Sequence, residues 1–115
     1  PQSAAYRVAL RGAQMFHKVE VPVLGVVENM SYLTLADGTR QELFGAGGGA
    51  YVAKHLNTRF LGQVPIDQDL REGADRGVPI VAGAPRSATA QVFRDIADNL
   101  LSLLEGTSVS HPSPQ

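Results

Sequence analysis

The chain has 115 residues, 43% of them hydrophobic, which is enough for one domain with a real core. Its 10 Lys and Arg against 11 Asp and Glu leave a formal charge of −1, so neither a broad nucleic-acid surface nor attraction to an anionic membrane is expected. No apolar run approaches the roughly 20 residues that span a bilayer, and the opening Pro1-Gln2-Ser3 lacks the basic and apolar segments of a secretory signal. The expectation is a cytoplasmic protein without a membrane partner. Cysteine is absent, which excludes disulfides, thiol catalysis and any zinc or iron–sulfur site built on this chain's own thiolates.

The first predicted element is a helix capped by Ser3, with Ala5, Val8, Ala9, Gly12 and Phe16 on one face. Val21–Val27 is an almost unbroken apolar run ending at Glu28-Asn29, the pattern of a parallel strand buried on both faces. Residues 31–43 are polar, and Asp37-Gly38 predicts a hairpin turn between arms at Tyr32–Leu35 and Thr39–Leu43. The glycine-rich Phe44–Ala50 leads into a short helix through Tyr51, Val52 and Leu56 that stops at Asn57. A second strand, Phe60–Val64, ends at Pro65-Ile66-Asp67. Asp67 opens a helix through Leu70 and Ala74 that Gly77 closes. Val78–Val81 reads as extended. Ser87 caps a last helix with apolar positions at Ala90, Phe93, Ile96, Ala97, Leu100 and Leu104. These elements define a domain over residues 1–105, and residues 106–115 have the composition of a disordered tail.

The order is α/β, the pattern of a doubly wound parallel sheet interrupted by a β-hairpin insertion. Only two parallel strands are legible and none precedes the first helix, so the pattern looks truncated. A strand as apolar as Val21–Val27 calls for a neighbour on each side. The C-terminal part of a larger domain would satisfy that requirement, and so would a dimer that completes its sheet between chains.

Open α/β sheets bind ligands where strands end, and two ends stand out: Glu28–Ser31 and Pro65–Asp67. The Asn29 amide offers a donor and an acceptor suited to the edge of a purine, although a turn or cap role is the simpler account of this residue alone. Asp67 reads first as a helix N-cap. Glu28, Asp67, Asp69 and Glu72 are explained by solvated faces and helix-start charge, while Arg71 and Arg76 could reach an anion but are ordinary on an exposed helix. Gly45–Ala50 fits the G-x-G-x-x-A dinucleotide fingerprint, but a polar hairpin arm precedes it where a buried strand is required. Close packing at a helix start is the simpler use of these glycines. The only lysines, Lys18 and Lys54, follow His17 and Ala53, so no Gly-Lys-Ser/Thr phosphate loop can form on this chain. His17, His55 and His111 lack metal-ligand spacing and read as surface residues.

"VPVLGVVENMS", from Val21 to Ser31, resembles the corresponding strand of Mrp/ApbC-type ATPases, iron–sulfur cluster carriers of the MinD/ArsA-like P-loop class. The likeness continues through "LFGAGGGAYVAKHL", "FLGQVPIDQDLREGADRGVPIV" and "VFRDIAD", in the same order along almost the whole chain. It implies the C-terminal part of a P-loop NTPase domain with an adenine pocket, in which Asn29 contacts the base and the backbone of Pro65, Ile66 and Asp67 lies against it. ATP with magnesium would be held mainly by an N-terminal half carrying the phosphate loop. A homodimer and iron–sulfur client proteins are the implied partners. Most members of the family carry a Cys-x-x-Cys pair for a bridging cluster where this chain reads "SYLTLADGTRQELFG", so no thiolate is available here. Two other functions stay open beside this one: a non-catalytic interaction module that pairs with itself or a homologue, and a dinucleotide binder using Gly45–Ala50.

Overall fold

The computed structural model describes residues 2–43 and 47–108. The elements in chain order are α1 (Gln2–Lys18), β1 (Gly25–Glu28), β2 (Tyr32–Thr34), β3 (Arg40–Glu42), α2 (Gly48–His55), β4 (Arg59–Gln63), α3 (Gln68–Arg76), α4 (Ile80–Gly83) and α5 (Ala88–Ser108). β1 and β4 pair in parallel, Gly25 beside Arg59 and Glu28 beside Gln63, with a shift of register between Val26 and Val27. β2 and β3 form a separate antiparallel pair in which Tyr32 lies opposite Glu42. The class is therefore α/β with a parallel sheet.

Three helices stop in the same way. The amides of Val21, Thr58 and Val78 reach back five residues to the carbonyls of Phe16, Ala53 and Gly73, while Glu20, Asn57 and Gly77 take positive φ just before them. This double closure satisfies carbonyls that a helix end would otherwise leave without donors. Starts are also specified locally. Asp67 accepts the Asp69 amide at 2.8 Å to cap α3, and the Ser87 hydroxyl accepts the Ala90 amide at 3.1 Å to cap α5.

α2 and α5 pack against the sheet, and α1 lies on α2. The buried apolar residues are Tyr32, Val52, Ala53, Leu61, Val64, Ile80 and Ala90. The Asn99 amide on α5 donates to the Leu61 carbonyl at 3.0 Å, next to the register shift, and so occupies an acceptor where the ladder is irregular.

Several elements differ from expectation. The strand over Val21–Val27 contracts to Gly25–Glu28, and Val27 is 43% exposed. Among the described residues β1 has one strand neighbour, so Val21–Leu24 have no ladder to join. α1 already includes Gln2 and Ser3, which places Ser3 within the helix instead of ahead of it. Its partly covered face is Tyr6, Leu10 and Ala13, whereas Val8 and Phe16 are exposed, because the α2 side alone of α1 is covered. Pro79 starts the short α4, where extended chain was expected over Val78–Val81. α5 runs through residues 106–108, and 109–115 lie outside the described residues.

Candidate functional site

Because β1 and β4 are parallel and in register at their ends, their carboxyl-terminal loops leave the sheet side by side. Backbone hydrogen bonds join the two loops beyond the last paired residues: Val64 to the Glu28 carbonyl at 2.8 Å, Ser31 to Val64 at 2.9 Å, and Ile66 to Tyr32 at 2.8 Å. The loops thus form one ledge, and α3 rises from it.

Between the ledge and α3 lies an open groove of about 750 Å³ lined by Asn29, Met30, Leu33, Pro65, Ile66 and Asp67 on the ledge side. All four residues singled out in the sequence, Asn29, Pro65, Ile66 and Asp67, border this one groove. Met30, Leu33 and Ile66 are partly solvent-exposed apolar walls, and of these sequence reasoning did not select Met30 and Leu33. Such walls suit the face of a flat ring. Asn29 Oδ1 accepts the Met30 amide at 2.9 Å, and Met30 takes a positive φ of 52°. The Asn29 side chain is thereby held at the rim, and its NH₂ group remains a donor.

Asp67 borders the groove, but its carboxylate is committed to the fold. One oxygen caps α3 and the other accepts the hydroxyl of buried Thr89. Only its backbone is available to a ligand. From α3 come Arg71, Glu72 and Asp75, so the lining holds one cation against three carboxylates, Asp67 included. Phosphates would meet net repulsion here, whereas an uncharged base would not.

Glu28 behaves differently from the solvated carboxylate expected. It is partly buried; one oxygen accepts the Gly49 amide at 2.8 Å and the other accepts the Ser31 hydroxyl at 3.0 Å. Ser31, 1% exposed, also receives the Gln63 amide at 2.8 Å. The Tyr6 phenol has its pKa raised, first by burial and then by the charge of Glu28. A carboxylate closing a two-residue gap to Ser31 is foreseeable, but nothing local announces its bond to Gly49.

The glycine stretch is absorbed by the same network. Phe44, Gly45 and Ala46 lie outside the described residues. Gly48 and Gly49 are buried, and a Cβ on Gly48 would overlap the Tyr6 phenol. The α2 N-terminus, where a dinucleotide pyrophosphate would sit, is occupied by the carboxylate of Glu28. The strand before it, β3, is antiparallel, and both features argue against the dinucleotide use.

His17 and His55, distant in sequence, border a second groove of about 680 Å³ with Lys18 and Asn57, which sequence spacing did not reveal. The His55 ring lies 4.1 Å from that of Tyr51, and its Nδ1 is 3.1 Å from the Tyr51 carbonyl. No group of three His, Cys, Asp or Glu suited to a metal occurs among the described residues. His111 lies outside them. Nor is any helix among them long and apolar enough to cross a membrane.

A parallel α/β sheet with a ligand-sized groove at its strand ends is the arrangement of nucleotide-binding α/β domains. The chain belongs to the ParA family described as NUBPL iron-transfer P-loop NTPase, whose model matches residues 1–101. It is 46% identical over 102 residues to an iron–sulfur cluster carrier protein of Synechocystis, covering 87% of this chain and 29% of that protein. It is 42% identical over 105 residues to an iron–sulfur cluster carrier protein of Escherichia coli, covering 90% of this chain and 28% of that one. An iron–sulfur cluster transfer protein NUBPL of Dictyostelium discoideum is 42% identical over 106 residues, which cover 91% of this chain and 33% of that protein. The chain thus spans about a third or less of these relatives' length. The likeness to Mrp/ApbC-type carriers is borne out.

Proposed function

We propose that this chain is the base-binding part of an ATP-binding iron–sulfur cluster carrier. The observation that carries the reading is the convergence of Asn29, Pro65, Ile66 and Asp67 on one apolar-walled groove at the strand ends. In it, adenine packs between Met30 and Ile66, Asn29 reads its edge, and the 64–67 backbone supplies the floor. The acidic lining and the lack of a Gly-Lys-Ser/Thr loop support a reading in which the phosphates and magnesium are held by residues outside this chain, in an N-terminal half. ATP hydrolysis belongs to the complete NTPase domain. The β2–β3 hairpin is an insertion in that domain's doubly wound sheet. Since the chain has no cysteine, the iron–sulfur cargo passes to client proteins from ligands elsewhere in the assembly. The cytoplasm is the proposed compartment.

Nucleotide titration tests this directly. The isolated 115-residue chain should bind ATP only weakly, with a dissociation constant of about 1 mM, because the base alone supplies part of the affinity. Asn29→Ala should weaken that binding by about tenfold and remove the preference for adenosine over guanosine. Micromolar ATP binding by the isolated chain, or an Asn29→Ala variant that keeps both affinity and base preference, would overturn the reading.

A second reading, an interaction module that pairs with itself or a homologue, is favoured by one feature. β1 and β4 have no other strand partner among the described residues, and Val27, Leu24 and Phe60 on and beside them are exposed. A homodimer serves both readings. A stable monomer in light scattering, with no affinity for a homologue, would remove the second.

A further inference from the structure

Among the described residues the hairpin β2–β3 pairs with no other strand, so beside the bond from the Ile66 amide to the Tyr32 carbonyl its position depends on how its two feet are held. The first foot is Ser31, directly before β2. The second is taken as the start of α2, at Gly48 and Gly49, beyond residues 44–46, which lie outside the described residues. Both feet end on one side chain: Glu28 accepts the Ser31 hydroxyl at 3.0 Å and the Gly49 amide, 21 residues along the chain, at 2.8 Å.

The approach of Gly49 is close. A Cβ there would lie 2.9 Å from both Glu28 Cβ and Glu28 Oε1, and 2.5 Å from Phe60 Cε1. Glycine at this position allows the helix start to reach the carboxylate. Gln63, the last residue of β4, donates to Ser31 at 2.8 Å and draws the second strand end into the same network. Hydrogen bonds to an ionised acceptor are roughly twice as strong as neutral ones, and a partly buried position shields them from water.

Glu28 is also the residue before Asn29. A ligand that fixes the 29–30 loop therefore acts on a segment bounded on one side by Glu28 and on the other by Ser31, the carboxylate's own donor. We propose that Glu28 is a positioning residue that couples the base loop to the hairpin, so that an adenine nucleotide in the strand-end groove steadies the hairpin through its two feet. This rests on the base-site reading above and assigns to it a regulated element. Glu28 need not touch the nucleotide; it acts through Ser31 and Gly49.

Amide hydrogen exchange on the protein at its full natural length, with and without saturating ATP, tests the coupling. In the unaltered protein ATP should slow exchange at residues 29–31 and 64–67, and by about threefold or more at the hairpin amides of Leu35 and Gly38. Glu28→Ala should keep the protection at 64–67 and lose the hairpin response. Without ATP it should speed exchange at Ser31 and Gly49 together, while α5 amides stay unchanged and report an intact fold. Glu28→Gln retains an acceptor for Gly49 but presents NH₂ towards Ser31, and should keep part of the response. Ser31→Ala, which frees one foot only, should match it. A hairpin response that survives in Glu28→Ala, or that is undiminished in both milder variants should the alanine variant not fold, overturns the coupling. So does ATP protection confined to residues 29–31 and 64–67 in the unaltered protein. Absence of protection at those residues overturns the base-site reading itself, and the coupling with it.

Discussion

The two ends of β1 are built on different terms. At its carboxyl end, Glu28 and Asp67 each use both carboxylate oxygens on partners from this chain, and no buried side-chain polar atom among the described residues lacks a partner. At its amino end and along α1, Val8, Met15, Phe16, Val19 and Val21 are 46–68% exposed. The first region is complete in itself, held by hydrogen bonds that specify direction. The second is an apolar surface without a cover among the described residues, and apolar contact specifies area more than geometry. The groove's shape can therefore be fixed by these residues even where the sheet around it is not closed.

The sharpest way to break this contrast is to remove a bond at the completed end. Asp67→Ala deletes the α3 cap and leaves the buried Thr89 hydroxyl without its acceptor. The expected loss of stability is about 2–4 kcal/mol, the sum of a cap and an unsatisfied buried hydroxyl. Thr89→Val removes only one of the two bonds and should cost about 1 kcal/mol. Urea denaturation monitored by far-UV circular dichroism measures both. Equal losses in the two variants would mean that the cap contributes nothing and that the bond to Thr89 carries the whole effect of Asp67.

That Asn29 and Pro65–Asp67 would border one groove was legible because parallel strands of an α/β sheet bring their carboxyl-terminal loops together. The helix stops at Asn57 and Gly77 were legible because their residue types suit positive φ. Glu20 makes the same stop without that signature and was invisible. So was the bond from Glu28 to Gly49, since it depends on the chain returning to β1 after the hairpin. α1 was misread because its small residues permit two apolar stripes, and the choice between Leu10 and Phe16 is made by α2. Neither residue type nor spacing contains that information. The four-residue α4 is shorter than any period that patterning can resolve.

Acid should act on the hairpin through Asp37. Asp37 has its pKa held below the ordinary 3.8, first by the Thr39 hydroxyl at 2.6 Å and then by the Thr39 amide at 3.0 Å. A depressed carboxylate pKa stabilises the fold above the unfolded value, and that contribution is lost as pH falls through the folded one. Protection of the Gly38 amide should hold from neutral pH to about 4 and decline below it, and Asp37→Asn should abolish the decline. Asp37 is fully exposed, so the effect is local and small. A decline of equal size in the asparagine variant would assign the acid sensitivity to another group.

The smallest effect belongs to the open surface. Replacing Met15 and Phe16 with serine should change the stability of the 115-residue chain by less than about 0.5 kcal/mol, since exposed side chains leave little to lose. The same double variant should lower self-association in sedimentation velocity, because an exposed apolar patch is what drives contact between copies. These two readouts separate the cases. If stability falls by as much as it does in Asp67→Ala, the α1 face is covered by something within the chain, and the difference between the two ends of β1 disappears. If stability holds and association is also unchanged, the face is open but is not what brings copies together, and the unpaired edges of β1 and β4 become the remaining surface for a partner.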